Sequence, residues 1–235
     1  MKQEQLERTI GLIGQEGVNK LNNATVLICG LGGVGGTALE ALARSGIGTF
    51  TIVDNDAISL SNLNRQLLAT HNTLGQLKVD VGEKRIKEIN PQVKVYKIQE
   101  FYLPNNSSID FKNFDYVIDC IDTVSAKIDI IAKCKENNVD IISSMGTGKK
   151  LNPSMLKICD INKTEVDPLA KVMRYELRKR NIKNVKVCYS NEEVIKHEII
   201  INEENNKDIP GSSPFVPSSA GIMIAAEVVK DLLKK

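Results

Sequence analysis

The chain has 235 residues, room for one large domain, and its 42% hydrophobic and 26% charged content excludes wholesale disorder. A formal net charge of +2 excludes a globally basic nucleic-acid binder, so any such surface must be a local patch. Trp is absent and aromatics are 4%, so an aromatic platform for base stacking is not expected to dominate recognition.

Residues 3–22 read as a helical segment with Leu6, Ile10, Ile13, Val18 and Leu21 as apolar contacts. Gly11, Gly14 and Gly17 interrupt it, so two short helices are expected, with Arg8 on the first. An apolar strand, Val26 to Ile28, then runs into Gly30-Leu31-Gly32-Gly33-Val34-Gly35. A small-residue helix is expected over 37–45, ended by Gly46 and Gly48, and a second strand over 50–53. The loop 54–66 is too dense in Asp, Asn, Arg and Gln to be mere connection.

A helix over 78–89 stops at Asn90-Pro91, and strands follow at 93–98 and 116–118. The second of these ends in Asp119-Cys120-Ile121-Asp122; a helix over 125–137 and a strand from Ile141 come next. This alternation of strand and helix predicts an α/β fold with a doubly wound, mostly parallel, Rossmann-like sheet. After Lys149 a strand at 155–159 suggests an antiparallel continuation of the sheet in the C-terminal part. A basic helix over 169–179, a strand at 185–188, a polar tip at 202–207 and a turn at 211–217 lead into an apolar helix over 218–233. That last helix is expected to pack on the sheet or on a second protomer. One domain is expected over 1–235: a helical segment 1–24, a nucleotide-binding half 25–150, and a substrate-facing and dimer-packing half 151–235.

The cysteines at 29, 120, 134, 159 and 188 are odd in number, widely spaced and without a C-x-x-C pair. That argues against a disulfide framework and a structural zinc site, and fits a reducing compartment. Residues 1–10 are polar and charged and no apolar run approaches membrane-spanning length, so a cytoplasmic protein without a membrane partner is expected.

Gly30, Gly32 and Gly35 fill G-x-G-x-x-G between a strand and a helix, and Asp54 follows where a carboxylate reaches a ribose hydroxyl. Such glycines, Gly33 among them, let backbone N–H groups approach phosphate oxygens at a helix N-terminus. Hydride transfer has little need of two cations near its cofactor's phosphates. Arg65 and Lys78 with Asp122 suit phosphoryl or nucleotidyl transfer instead, the cations meeting charge on leaving oxygens and the carboxylate holding magnesium. Cys120 reads as a buried thiol at a strand end rather than a nucleophile.

The glycine loop, Asp54-Asn55-Asp56, Ser61-Asn62-Leu63-Asn64-Arg65-Gln66, Gly75-Gln76-Leu77-Lys78, Ile89-Asn90-Pro91 and Asp119-Cys120-Ile121-Asp122 resemble the ThiF/MoeB/HesA superfamily of ubiquitin-activating-type adenylating enzymes. The resemblance implies ATP as reactant, with Gly30, Gly32, Gly33, Gly35, Asp54 and Asp56 around the nucleotide and Asp54 on its ribose. It also implies that Asn62, Arg65, Gln66 and Lys78 handle the phosphates, and that Asp122 coordinates magnesium. It further implies a homodimer in which Arg8 reaches the partner's active site.

Val166-Asp167-Pro168-Leu169-Ala170-Lys171-Val172-Met173-Arg174 and the stretch 211–221 resemble the tRNA threonylcarbamoyladenosine dehydratase group within that superfamily. Such enzymes adenylate the side-chain carboxylate of the modified adenosine next to the anticodon, which then cyclises with loss of water. Lys171, Arg174, Arg178, Lys179 and Arg180 then read as a tRNA-backbone patch, against a solvated helix face salted with Glu176. The alternative is an activator of a small ubiquitin-like sulfur carrier, whose usual paired C-x-x-C zinc ligands this chain lacks. A sulfur-transfer or helper protein cannot be identified from the sequence.

Overall fold

The computed structural model describes residues 3–104, 108–196, 201–202, 207–208 and 210–235. Its main sheet comprises β1 (Thr25–Cys29), β2 (Thr49–Val53), β3 (Lys94–Ile98), β4 (Tyr116–Asp119), β5 (Asp140–Ser144), β6 (Leu156–Asp160) and β7 (Lys186–Ser190), in the order β3-β2-β1-β4-β5-β7-β6. Every pairing is parallel except β6 with β7, so the expected antiparallel continuation is present. The helices are α1 (Gln3–Asn23), α2 (Gly33–Ser45), α3 (Lys78–Ile89), α4 (Val124–Glu136), α5 (Pro168–Lys179) and α6 (Phe215–Lys234).

β1 carries the architecture. It lies between β2 and β4, and its successive side chains face opposite sides of the sheet. Val26 and Ile28 enter a core shared with α2, α3 and α6; Leu27 and Cys29 enter one shared with α4 and α5. A strand buried on both faces reads as a continuous apolar run, which is why TVLIC carries no alternation. Truncating Leu27, fully buried, to Ala is expected to cost about 2–5 kcal/mol. Chain order reverses between β1 and β4, which opens a crevice at their carboxyl ends, where sheets of this kind bind ligands.

α1 bends at Gly14, whose φ of 71° lies in the region open to glycine, so the two helices expected from the glycines are present end to end. α2 begins at Gly33, inside the glycine motif, four residues before the predicted start. Apolar periodicity cannot see a first turn made of Gly33, Val34, Gly35 and Gly36. α6 likewise begins at Phe215, so the expected turn at 211–217 becomes helix over its last three residues. Pro217 is tolerated there because a first turn has no N–H bonds to lose.

α6 runs alongside α2 with Pro217 against Gly33 and Gly221 against Val34, so the two N-termini lie at the same end. A Cβ on Gly221 would stand 2.5 Å from the Val34 carbonyl oxygen, which shows how closely the helices approach. The polar tip expected at 202–207 falls mostly outside the described residues; its flanks, β8 (Ile201–Asn202) and β9 (Lys207–Asp208), pair as a short antiparallel ladder.

Candidate active site

The glycine loop is shaped by contacts that exclude side chains. Gly30 has φ 90°, and a Cβ there would sit 2.7 Å from the Cys120 carbonyl oxygen. A Cβ on Gly35 would stand 1.8 Å from the Gly30 carbonyl oxygen. The first and last motif glycines therefore close the turn on itself and on the segment after β4. Around Gly32 the nearest atom to such a Cβ is Gln66 Nε2 at 4.0 Å, so this glycine faces open space.

Asp54, at the end of β2, is held by two backbone donors: Leu31 N–H to Oδ2 at 2.7 Å and Asp56 N–H to Oδ1 at 2.9 Å. It thereby ties the glycine loop to the second strand. Lys78 opens α3 and is 5% exposed; its Nζ lies 2.6 Å from Asp56 Oδ2 and 3.7 Å from Asp54 Oδ1. A cation in the first turn opposes the helix dipole, so the carboxylates offset an intrinsically unfavourable placement.

The loop 54–66 is docked rather than free. Ile58 N–H bonds the Gln76 carbonyl at 2.8 Å, and Lys78 N–H bonds the Asp56 carbonyl at 3.0 Å. Asn62 Oδ1 accepts from Ser59 N–H, and Arg65 Nη1 donates to Ser61 O and Asn64 Oδ1, each at 2.9 Å. Asn64 reaches across to Ser212 O at 3.0 Å, joining this loop to the segment before α6. Gln66 is 9% exposed, and its Oε1 has no hydrogen-bond partner. A buried polar atom without a protein partner is open to a ligand or water entering the cleft.

These parts enclose a cleft of about 310 Å³ lined by Gly30, Gly32, Asp54, Asp56, Asn62, Arg65, Gln66, Lys78 and Asp122 among others. Gly33 and Gly35 lie behind it, shaping the loop. Arg8 is exposed on α1 and does not line the cleft of its own chain. Glu100, Phe101 and Tyr102 also line the cleft and were missed by the sequence reading. The parallel register Val53↔Ile98 brings them there, as a β3 paired beside β2 would have indicated. Asp122 is exposed, with no hydrogen bond or ion pair to its carboxylate among the described residues.

The five cysteines are free. Burial, with Asp119 nearby, pushes the Cys120 thiol far above its ordinary range, which leaves it a poor nucleophile. Cys134 is buried within α4. Among the described residues no cluster of three or more His, Cys, Asp or Glu side chains is placed to hold a metal by itself, and no helix is long and apolar enough to cross a membrane.

The basic helix α5 is capped by Asp167, whose Oδ1 accepts from Ala170 N–H at 2.8 Å. Asp167 Oδ2 pairs with buried Lys150 Nζ at 2.6 Å, and the same ammonium donates to Gly146 O and Ser190 O. This fixes α5 to the ends of β5 and β7. The five predicted cations do not act alike. Arg174 is turned inward to Thr164, and Lys179 and Arg180 both pair with Glu176. Lys171 and Arg178 are exposed without an ion pair among the described residues, while Lys179 Nζ lies 4.2 Å from the ring centre of Tyr175, which is 59% exposed.

A doubly wound sheet with a glycine loop, a carboxylate at the end of its second strand, and two cations and a further carboxylate lining the same cleft defines a nucleotide-binding protein equipped for nucleotidyl transfer. The chain belongs to the ThiF family, whose model matches residues 5–235. It is 42% identical to the tRNA threonylcarbamoyladenosine dehydratase of Bacillus subtilis (strain 168), over 98% of this chain and 95% of that protein. Similarity to the Haemophilus influenzae protein of the same name is 36% over 97% and 95%. The yeast adenylyltransferase and sulfurtransferase UBA4 of Vanderwaltozyma polyspora is 39% identical, over 64% of this chain and 34% of its own length. Among solved structures, E. coli TcdA in complex with ATP superposes with a TM-score of 0.86 at 29% identity, covering 98% of this chain and 94% of that one. The AMP complex gives a TM-score of 0.87.

Proposed function

We propose that the protein is an ATP-dependent tRNA threonylcarbamoyladenosine dehydratase. The observation that carries this reading is the single cleft that gathers Gly32, Asp54, Asn62, Arg65, Gln66, Lys78 and Asp122 at the carboxyl ends of β1, β2 and β4, in a chain alike along its whole length to proteins of that name. The substrate is tRNA bearing the modified adenosine next to the anticodon. Its side-chain carboxylate attacks the α-phosphorus of ATP and expels pyrophosphate. The tethered carbamoyl group then attacks the acyl-adenylate, closes the ring and releases AMP. The carboxylate oxygen leaves on AMP, so the nucleoside loses the elements of water. Because the nucleophile is tethered, ring closure needs no protein cysteine.

The chain's own residues orient the nucleotide. Asp54 accepts from the ribose, the N–H groups of the glycine loop and the start of α2 meet phosphate oxygens, and Arg65 and Lys78 meet charge on the leaving pyrophosphate. Asp122, whose carboxylate has no partner among the described residues, would hold a magnesium ion brought in with ATP. The ion would lower the repulsion between carboxylate and triphosphate. Arg8, exposed on α1, is assigned to the partner's cleft in a homodimer. Lys171 and Arg178 are assigned to the tRNA backbone, with Arg174, Lys179 and Arg180 on the same helix already engaged with Thr164 and Glu176.

The deciding experiment incubates the protein with ATP, magnesium and tRNA carrying threonylcarbamoyladenosine, and measures nucleoside mass. Loss of 18 Da, about one water, is expected on the chemistry above. An unchanged nucleoside, with pyrophosphate exchange driven by a small protein ending in Gly-Gly, would overturn the reading.

A further inference from the structure

Asp119 and Lys127 form an ion pair at 3.0 Å with no exposure of either side chain. Two charges removed from water are costly, and apolar replacements of such pairs are often neutral or stabilising, so stability alone does not account for the arrangement. The bonds the pair makes indicate its work. Asp119 Oδ1 accepts from Ile121 N–H at 3.2 Å, and Lys127 Nζ donates to Ile121 C=O at 2.9 Å. Ser143 Oγ, on β5, donates to Asp119 Oδ2 and holds that carboxylate from the neighbouring strand. Both polar groups of one residue, Ile121, are thus held by the same buried pair. The residue after it is Asp122.

Asp122 carries no side-chain tether among the described residues, so the backbone at Ile121–Asp122 is what holds the origin of its side chain in place. Cys120, on the other side of Ile121, is packed against the glycine loop, its carbonyl oxygen 2.7 Å from where a Gly30 Cβ would lie. Lys127 reaches this point by folding back from α4 toward the loop that precedes the helix. We propose that the Asp119–Lys127 pair is a positioning device that clamps the Ile121 peptide and so fixes the Asp122 carboxylate relative to the glycine loop for adenylation. The proposal rests on the dehydratase reading for the role of Asp122. Neither side chain lines the cleft, so both are positioning residues rather than catalytic ones.

The test uses the full chain with Asp119→Asn and Lys127→Met combined, which removes both charges together and leaves no unpaired charge in the core. ATP affinity by calorimetry is expected to stay within about threefold, while kcat for dehydration falls at least about tenfold, as expected when a group acts on the transition state rather than on ground-state binding. Amide hydrogen exchange at Ile121 and Asp122 is expected to accelerate, with the β1 amides still protected. Ser143→Ala, which keeps both charges, is expected to show the same pattern at smaller amplitude and serves if the double variant fails to fold. A folded variant with full kcat, a rate loss matched entirely by weaker ATP binding, or unchanged exchange at Ile121 would overturn the clamp. If the wild-type protein leaves the modified tRNA unchanged, the dehydratase reading falls, and the exchange measurement alone decides the clamp.

Discussion

Lys78 Nζ stands 2.6 Å from Asp56 Oδ2 in the cleft, so the cation assigned to the triphosphate already has an anionic partner. The two residues sit on segments joined by the antiparallel bridge Ala57↔Leu77, which keeps the ammonium in place before any nucleotide arrives. Such preorganisation lowers the cost of meeting new charge at the moment of reaction. Lys78→Met is therefore expected to lower the dehydration rate by about 10²-fold. Single-turnover kinetics with saturating ATP would check this, and a loss under threefold would remove Lys78 from the leaving-group role.

Gly35→Ala tests the loop's internal closure. The added methyl would stand 1.8 Å from the Gly30 carbonyl oxygen, a backbone atom that cannot rotate away. A cost of about 3 kcal/mol or more is expected, together with loss of ATP binding. Gly11→Ala is the control, since nothing lies within 4 Å of its Cβ position. Urea melts of the two variants should differ sharply, and equal stability would mean that the loop relaxes.

The acid limb of stability should depend on Lys186. This lysine on β7 holds Glu227 at 2.7 Å and also Asp231, both on α6. Burial acts to raise the Asp231 carboxyl, but hydrogen bonds from Lys186, Lys234 and Tyr116 outweigh it and leave the group below its ordinary range. The hydrogen bond from Lys186 likewise lowers Glu227. Depressed carboxylates contribute stability above their unfolded values, near pH 4, and lose it as pH falls through the folded ones. Burial opposes the charge on Lys186, yet its two carboxylate bonds leave it raised, so its own contribution persists through neutral pH and is lost only at strongly alkaline pH. Lys186→Met should thus be less stable than wild type at pH 7, with the gap narrowing below about pH 4. Urea titrations at both pH values would show this, and a constant gap would contradict it.

Arg8→Ala is expected to slow adenylation while leaving ATP binding intact, because the side chain lies away from its own cleft. Mixed dimers of Arg8→Ala with Asp122→Ala protomers should regain activity, since one cleft would then be complete. Mixed dimers as inactive as either parent would count against supply in trans.

Much of this architecture is legible in the residues alone. The α3 helix begins at Lys78 and ends at Ile89 as its apolar spacing and Asn90-Pro91 require. What escaped has physical causes. The start of α2 is built from glycines, which carry no periodicity, and Phe215 opens α6 just beyond a proline. Glu100 to Tyr102 join the cleft only through strand pairing. Lys127 looks like a surface charge on a helix that also carries Lys133 and Lys135, and only the fold turns it inward to Asp119. The basic patch is partly misleading for the opposite reason, since Glu176 occupies two of its cations.

The close approach of Gly221 to Val34 has a consequence for biosynthesis. The glycine loop emerges from the ribosome early, yet the helix that covers α2 emerges about 180 residues later, at the far end of a high contact order. Until then Val34, Thr37 and Ala38 lack the close approach of Gly221, and the nucleotide loop lacks the Pro217 contact at Gly33. A nascent chain stalled before residue 214 should therefore bind no ATP and attract chaperones, which ATP crosslinking to stalled ribosome complexes would report. Competence to bind nucleotide is then expected only once α6 has emerged and packed on α2.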